Sequence, residues 1–284
     1  MDWLHENTPG ASALAGAAAA VAGVASLAWL LTRRQTARPP ALDPKQARPL
    51  TVVATRMVTH NVVEVEIALP EEDDVTGLAL GQHVGVVYTP PDATEPVRRS
   101  YTPISPLSAT GSFTLAVKVY PDGVVSSMLA NLDIGDTVLI RGPVGRWTYP
   151  TNEVQTLVMI AGGSGITPMF QLLSELLDAP SPTRLVLVYA NSTPEDVILY
   201  QHIVDLAQAY PDKLEISLWV SRTSPGATWA HNIGRLNAAR LAAVLPPATS
   251  PGVLITYSGP PSFNKMVGDA VKELGFRRPH VHRF

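Results

Sequence analysis

No cysteine occurs in the 284 residues of this chain. That excludes a disulfide framework, a thiolate metal site and a cysteine nucleophile, and it fits a reducing compartment. A basic excess is also missing. Counting Lys and Arg against Asp and Glu gives +2 for residues 1–48, −5 for 49–150 and 0 for 151–284. No segment has the density of cations that nucleic-acid binding needs, so no nucleic-acid partner is expected. The seven histidines form no metal-ligand pattern: His280 and His282 are too few, stand in a polar tail, and carry no metal expectation. The length exceeds one small core and fits two domains plus an extension.

Residues 7–32 lack any charged side chain. Within them Ala11 to Leu31 is apolar, and a helix of that length rises far enough to span the ~30 Å hydrocarbon layer of a membrane. Alanine fills ten of these 21 positions and adds little lipid affinity; Leu27, Trp29, Leu30 and Leu31 supply most of the hydrophobicity. Asp2 and Glu6 precede the stretch and Arg33, Arg34 and Arg38 follow it. The bias places the N-terminus outside and the rest of the chain in the cytosol. A soluble alanine-rich tail and a processed targeting segment are the alternatives, the second opposed by Asp2 and Glu6. The expected division is a short tail at 1–10, a single-pass anchor helix at 11–32 and a Pro/Arg-rich tether at 33–48.

From Thr51 to Ile67 apolar residues alternate with polar ones, Val63, Val65 and Ile67 against Glu64 and Glu66, the period of a half-buried strand. Val84 to Tyr88, Phe113 to Val119 and Thr137 to Ile140 repeat the pattern, so residues 49–150 read as a small antiparallel barrel. Residues 151–284 read differently. A continuous apolar run at 156–161 meets Gly162-Gly163-Ser164-Gly165, and helical spacing follows from Met169 to Leu177. Further runs at 185–189, 216–220 and 253–257 are separated by helix-like segments near 195–209, 237–245 and 262–274. Strands alternating with helices argue for a parallel sheet that binds ligands at the carboxyl ends of its strands.

Six motifs carry the chemistry. Arg99-Ser100-Tyr101-Thr102-Pro103 puts a guanidinium and an aromatic on one side of a strand, suited to a diphosphate and a planar ring, though alone it reads as an ordinary edge strand. It is accompanied by Val117-Lys118-Val119-Tyr120, by Gly123-Val124-Val125-Ser126, and by Gly142-Pro143-Val144-Gly145, which by itself is a plain turn. Gly162 to Pro168 can present backbone N–H groups to a pyrophosphate. Tyr257-Ser258-Gly259-Pro260-Pro261 closes the series.

In this order, from about residue 49 to Phe284, the motifs resemble those of the NADH-cytochrome b5 reductase family, within the ferredoxin-reductase-like flavoenzymes. The resemblance implies a two-domain ferredoxin-reductase-like fold: an antiparallel β-barrel FAD domain (49–150), then an α/β parallel-sheet NAD(P)H domain (151–284), behind an N-terminal transmembrane helix. It implies that Arg99, Ser100, Tyr101, Thr102, Val117, Lys118, Tyr120, Gly123, Val125 and Ser126 hold FAD. Gly163, Thr167, Gly259 and Pro260 would position the nicotinamide, with Thr102 and Ser258 beside the reacting atoms. The implied activity is hydride transfer from NADH or NADPH to FAD, then single-electron transfer to cytochrome b5 or a similar haem protein. The cytosolic face of the endoplasmic reticulum or mitochondrial outer membrane is the implied location.

The chain departs from the family at Ser258, where a cysteine is usual, at Val124 in place of a basic residue, and at Pro121 in place of an aromatic. Ser221 and Arg222 resemble a pair that holds the 2′-phosphate of NADPH, against a solvated strand end as the plain reading. Thr193 and Asp196 read as a capped helix start. Two further readings stay open. One is the same flavin chemistry with an iron–sulfur protein, quinone or oxygenase as acceptor, which the acidic first domain favours. The other is a non-catalytic membrane binding protein, motivated by Ser258 and Val124.

Overall fold

The computed structural model describes residues 40–226 and 228–284. The apolar stretch at 11–32, on which the anchor expectation rests, lies outside them. Among the described residues no helix is long and apolar enough to cross a membrane.

The first domain grows from one long strand. β1 (Arg48–Thr59) pairs with β6 (Thr137–Val144) through its first four residues and with β2 (Val62–Ala68) from Val52 onward, with a register shift between Val52 and Ala54. The bulge bends the strand so that it serves both halves of one sheet. With β3 (His83–Tyr88), β4 (Val97–Tyr101) and β5 (Ser112–Lys118) the antiparallel order is β4-β3-β6-β1-β2-β5. Val63, Val65 and Ile67 face the core as the alternation predicts, while Glu64 faces out to accept from Arg56 on β1 at 2.5 Å. No hydrogen-bonded ladder joins β4 to β5, so the expected barrel is an open sheet at this seam. The helix α1 (Val124–Ala130) packs against both strands there, burying Val125 and Leu129. The segment expected as tether is fastened to this domain from Ala41 on: Ala41 and Leu42 are buried in its core.

The second domain is a parallel sheet. Its strands β7 (Thr156–Gly162), β8 (Arg184–Asn191), β9 (Leu214–Val220), β10 (Asn232–Ile233), β11 (Val253–Ser258) and β12 (Val281–Arg283) run in the order β10-β9-β8-β7-β11-β12. Leu157 and Met159 point to one face, under α2 (Ile166–Leu177) and α3 (Tyr200–Ala209). Val158 and Ile160 point to the other, under α4 (Ala238–Val244) and α5 (Pro261–Glu273). The helix expected from 195 begins at Tyr200 instead, because Leu199 adopts φ 60, a left-handed conformation that interrupts the run; a short 3₁₀ turn occupies Pro194–Asp196. The polar tail is likewise a strand: β12 adds to the edge of β11, with His282 opposite Thr256.

The two domains share one apolar cluster, in which Val62 and Ala116 join Met159 and Ile166. Polar ties frame it. Gln171, 2% exposed, accepts from Gly81 N–H at 2.9 Å and donates to Gln82 O at 3.1 Å. Glu175 accepts from Leu107 N–H at 2.8 Å. Burying these groups without partners would cost more than the hydrogen bonds add, so each tie fixes the relative placement of the sheets.

Candidate active site

β7 and β11 are neighbours whose following helices lie on opposite faces, which makes the gap beyond their carboxyl ends the switch point of the sheet. Two glycine turns meet there. A Cβ on Gly165 would stand 2.2 Å from Ser258 O and 2.7 Å from Gly259 N, and one on Gly162 or Gly259 would enter the Phe263 ring at 2.8 or 2.6 Å. These glycines let backbones touch. Gly163 differs: at φ +54 it has nothing within 4 Å of a Cβ position, so its backbone lies open to the cleft and a ligand can approach it. Tyr189 holds that turn from below, donating to Gly163 O at 3.1 Å and accepting from Ile198 N–H at 3.2 Å. Complete burial pushes its phenol far above the ordinary value, so it stays protonated and keeps donating.

Three adjoining cavities open around this point, and Tyr120 borders all of them, its hydroxyl 3.0 Å from Ser164 Oγ. The smallest, about 250 Å³, lies along the first domain between β4 and α1. Arg99, Ser100 and Tyr101 border it from the strand; Gly123, Val125 and Ser126 border it from the turn and helix. Arg99 is exposed, donates to Arg98 O at 2.8 Å and has no carboxylate partner among the described residues. Burial, opposed in part by the Arg99 charge, pushes the Tyr101 hydroxyl up to about 12, so the ring presents a neutral face.

Lys118 and Ser126 border this cavity, and the structure places the side chains of three expected residues as follows. Val117 is fully buried in the barrel-side core, and its neighbours Ala116 and Lys118 border the cavity instead, because successive strand residues alternate faces. The Lys118 ammonium is engaged elsewhere: it donates to Asp196 Oδ1 at 2.8 Å, across the domain boundary. Ser126 is 6% exposed and donates to Gly123 O at 3.1 Å, stabilising its own turn. Asp196, in turn, is no helix cap. It also accepts from Asn61 Nδ2 and from Thr193 Oγ1, each at 3.2 Å. Burial alone raises its pKa, but the hydrogen bonds and charge of Lys118 with those of Asn61 and Thr193 outweigh it and hold the carboxyl below its ordinary value.

The central cavity, about 590 Å³, gathers Ser100, Thr102, Thr167, Ser258, Gly259 and Pro260 from both domains. Its wall holds residues that the motifs did not indicate. Trp147 stacks on His282 at 4.6 Å and meets the Phe284 ring edge-on at 5.3 Å. Burial and the Arg278 charge lower the His282 pKa, so the ring is neutral near pH 7. Gly81 admits the tryptophan, since a Cβ there would stand 2.4 Å from its ring. The only signal in the sequence was an aromatic two residues beyond Gly145. The third cavity, also about 590 Å³, runs from Gly163 and Pro260 past Ala190 and Asn191 to Ser221 and Arg222.

Three adjoining cavities that share Tyr120, one along each domain and one between them, are what a flavin nucleotide and a second dinucleotide require. Residues 49–149 match the family described as Oxidoreductase FAD-binding domain, and 159–269 match Oxidoreductase NAD-binding domain. The chain is 33% identical over 245 residues to NADH-cytochrome b5 reductase 1 of Dictyostelium discoideum, covering 86% of this chain and 84% of that one. It is 36% identical over 240 residues to the protein of the same name from Candida albicans, covering 84% and 80%. Among solved structures, the cytochrome b5 reductase domain of Ulva prolifera nitrate reductase superposes with TM-score 0.77 at 30% identity, over 87% of this chain and all of that one. The chain belongs to the NADH-cytochrome b5 reductase family. It is therefore an FAD-dependent oxidoreductase that uses a nicotinamide nucleotide. The residues present fit both groups: the unpaired Arg99 beside the neutral Tyr101 ring suits a diphosphate and a flavin, and the open Gly163 backbone suits the nicotinamide nucleotide. The family's usual cysteine is replaced by Ser258, which borders the central cavity at the end of β11.

Proposed function

We propose that the chain passes electrons from a reduced nicotinamide nucleotide through FAD to cytochrome b5 or a similar acidic haem protein. When bound, FAD accepts a hydride and releases electrons singly, linking a two-electron donor to a one-electron acceptor. The protein's part is placement. Arg99 neutralises the diphosphate, Tyr101 covers the ring system, and Thr102 and Thr167 offer hydroxyls at the reacting edge. The Gly163–Gly165 and Ser258–Pro260 turns set the height of the nicotinamide by touching each other. Ser258 keeps the size of the family's cysteine, and because no covalent bond to the side chain is needed, positioning is its whole role.

One observation carries the choice of acceptor. Arg146 and Arg283 border the central cavity and no Asp or Glu does, although the first domain is acidic as a whole. None of its acidic residues borders this cavity among the described residues, although Asp122 borders the adjoining flavin-side one. A cationic mouth steers an acidic partner's exposed cofactor edge toward the flavin. Purified protein should reduce cytochrome b5 at a rate that falls steeply with salt, and Arg146→Glu with Arg283→Glu should remove that dependence. Faster reduction of a [2Fe–2S] ferredoxin than of cytochrome b5 would favour the alternative acceptor class. We further infer that residues 11–32 anchor the protein in a membrane, with both domains in the cytosol. The support is the charge-free apolar stretch, the arginines after it and the family's habit of an N-terminal anchor. Release of the full-length protein by alkaline carbonate would refute the anchor.

A further inference from the structure

Behind the Trp147–His282 stack lies a further cavity of about 580 Å³. Trp147, Tyr257, Arg278, His282 and Arg283 border it, and three of these, Trp147, His282 and Arg283, border the central cavity as well. The stack is therefore the partition between the two. With the flavin-side cavity and the nucleotide cavity the new one shares no bordering residue.

Its base is rigid. Ile255 N–H donates to His280 O at 2.9 Å and Phe284 N–H donates to Tyr257 O at 3.1 Å, so β12 is fastened to β11 on both sides of His282. Walls held in place beforehand lower the cost of binding. The charges, by contrast, are unanswered. Arg278 and Arg283 are exposed and form no ion pair among the described residues, and the same holds for Arg146 on the central side. Arg277 shows the difference, since its guanidinium is spent on the fold, donating to Lys272 O at 2.6 Å and to Phe276 O at 2.9 Å. No Asp or Glu borders either cavity. Like charges gathered at one mouth repel each other, and a partner of opposite sign turns that cost into attraction.

The residue types say what kind of partner. Trp, Tyr and Arg around a preformed pocket are the side chains that anchor protein–protein contacts, and a guanidinium fork takes a carboxylate by both oxygens. We propose that this cavity is a docking socket for the acidic electron acceptor, with Arg278 and Arg283 receiving carboxylate side chains of the partner. The socket rests on the reading of the acceptor as an acidic haem protein. A partner seated there lies against the wall of the central cavity, with Trp147 and His282 between them. Arg278 is the new member: it lies in no motif and borders none of the three cavities around Tyr120.

Two readouts on the FAD-loaded full chain separate docking from the steps before it: steady-state reduction of cytochrome b5 at low salt, and anaerobic reduction of the flavin by NADH or NADPH. Arg278→Glu should raise the KM for cytochrome b5 ~10-fold or more, while flavin content and the rate of flavin reduction stay within about two-fold of the wild type. Arg278→Lys keeps the charge and should stay within about three-fold in KM. Cytochrome b5 whose carboxylates have been converted to methylamides should be reduced alike by the wild type and by Arg278→Glu. An Arg278→Glu protein with the wild-type KM would overturn the socket. So would one whose flavin reduction slows in the same proportion, because Arg278 would then be structural. If Arg278→Glu changes nothing while Arg146→Glu with Arg283→Glu raises KM, only the socket falls and the cationic mouth stands. If the wild type reduces cytochrome b5 at a rate independent of salt, the acidic-acceptor reading fails and the socket with it.

Discussion

Replacing Gly165 by alanine tests the contact on which nicotinamide placement depends. The new Cβ would stand 2.2 Å from Ser258 O, 2.4 Å from Ser258 C and 2.7 Å from Gly259 N, all backbone atoms that cannot rotate away. To reach ordinary contact at 3.4 Å the turn after β11 must retreat from the turn after β7 by roughly 1.2 Å. Overpacking of this kind costs about 1–3 kcal/mol in stability, which a folded two-domain protein survives. The effect on chemistry is larger, because hydride transfer needs reacting atoms within about 3–3.5 Å and a misplacement near 1 Å costs ~100-fold. The flavin cavity between β4 and α1 does not include Gly165, so FAD content should stay as in the wild type. Anaerobic stopped-flow reduction of the flavin, at saturating nucleotide, separates the two effects. A hundred-fold slower reduction with full flavin content is the expected result. A reduction rate within two-fold of the wild type would show that the contact between the two turns does not set the geometry of transfer.

Arg99→Ala removes the one cation in the flavin cavity that lacks a carboxylate, and should weaken FAD binding by ~10- to 100-fold, read as flavin lost on dilution and gel filtration. Asp196→Asn leaves the Lys118 ammonium, 15% exposed, without its charge partner at the domain boundary, and should lower unfolding stability by roughly 2–4 kcal/mol at neutral pH. The sign of its pH dependence follows from the lowered pKa of the folded state. The stabilisation is complete above the ordinary value of 3.8 and is lost as pH falls through the lowered one. Wild type and Asp196→Asn should therefore converge in urea denaturation below pH 3.8, and a difference that persists or widens there would contradict the assignment.

Local periodicity carried the fold. Val63, Val65 and Ile67 face inward because a strand alternates, and Gly162 to Gly165 mark a strand-to-helix turn because they stand between a continuous apolar run and helical spacing. What escaped was long-range. Lys118 and Asp196 are 78 residues apart in the chain, and nothing near either names the other. Trp147 and His282 stack across an even greater separation, and the tail that carries His282 becomes a strand only because β11 offers it an edge. Val117 shows the sensitivity of strand arguments: one step along β5 exchanges the cavity for the core. Arg235 sits in a stretch without periodicity or motif, and only the fold of β10 beside β9 brings it to Arg222's cavity.

The central claim is that two nucleotides meet at Tyr120 and exchange a hydride. Anaerobic titration of the purified full-length protein with NADPH, and separately with NADH, followed by the visible flavin absorbance, tests it most directly. The account predicts a yellow protein that releases FAD on denaturation and is bleached completely by one equivalent of a reduced nicotinamide nucleotide. A colourless protein that takes up no FAD, or a yellow one that neither nucleotide bleaches, would contradict it.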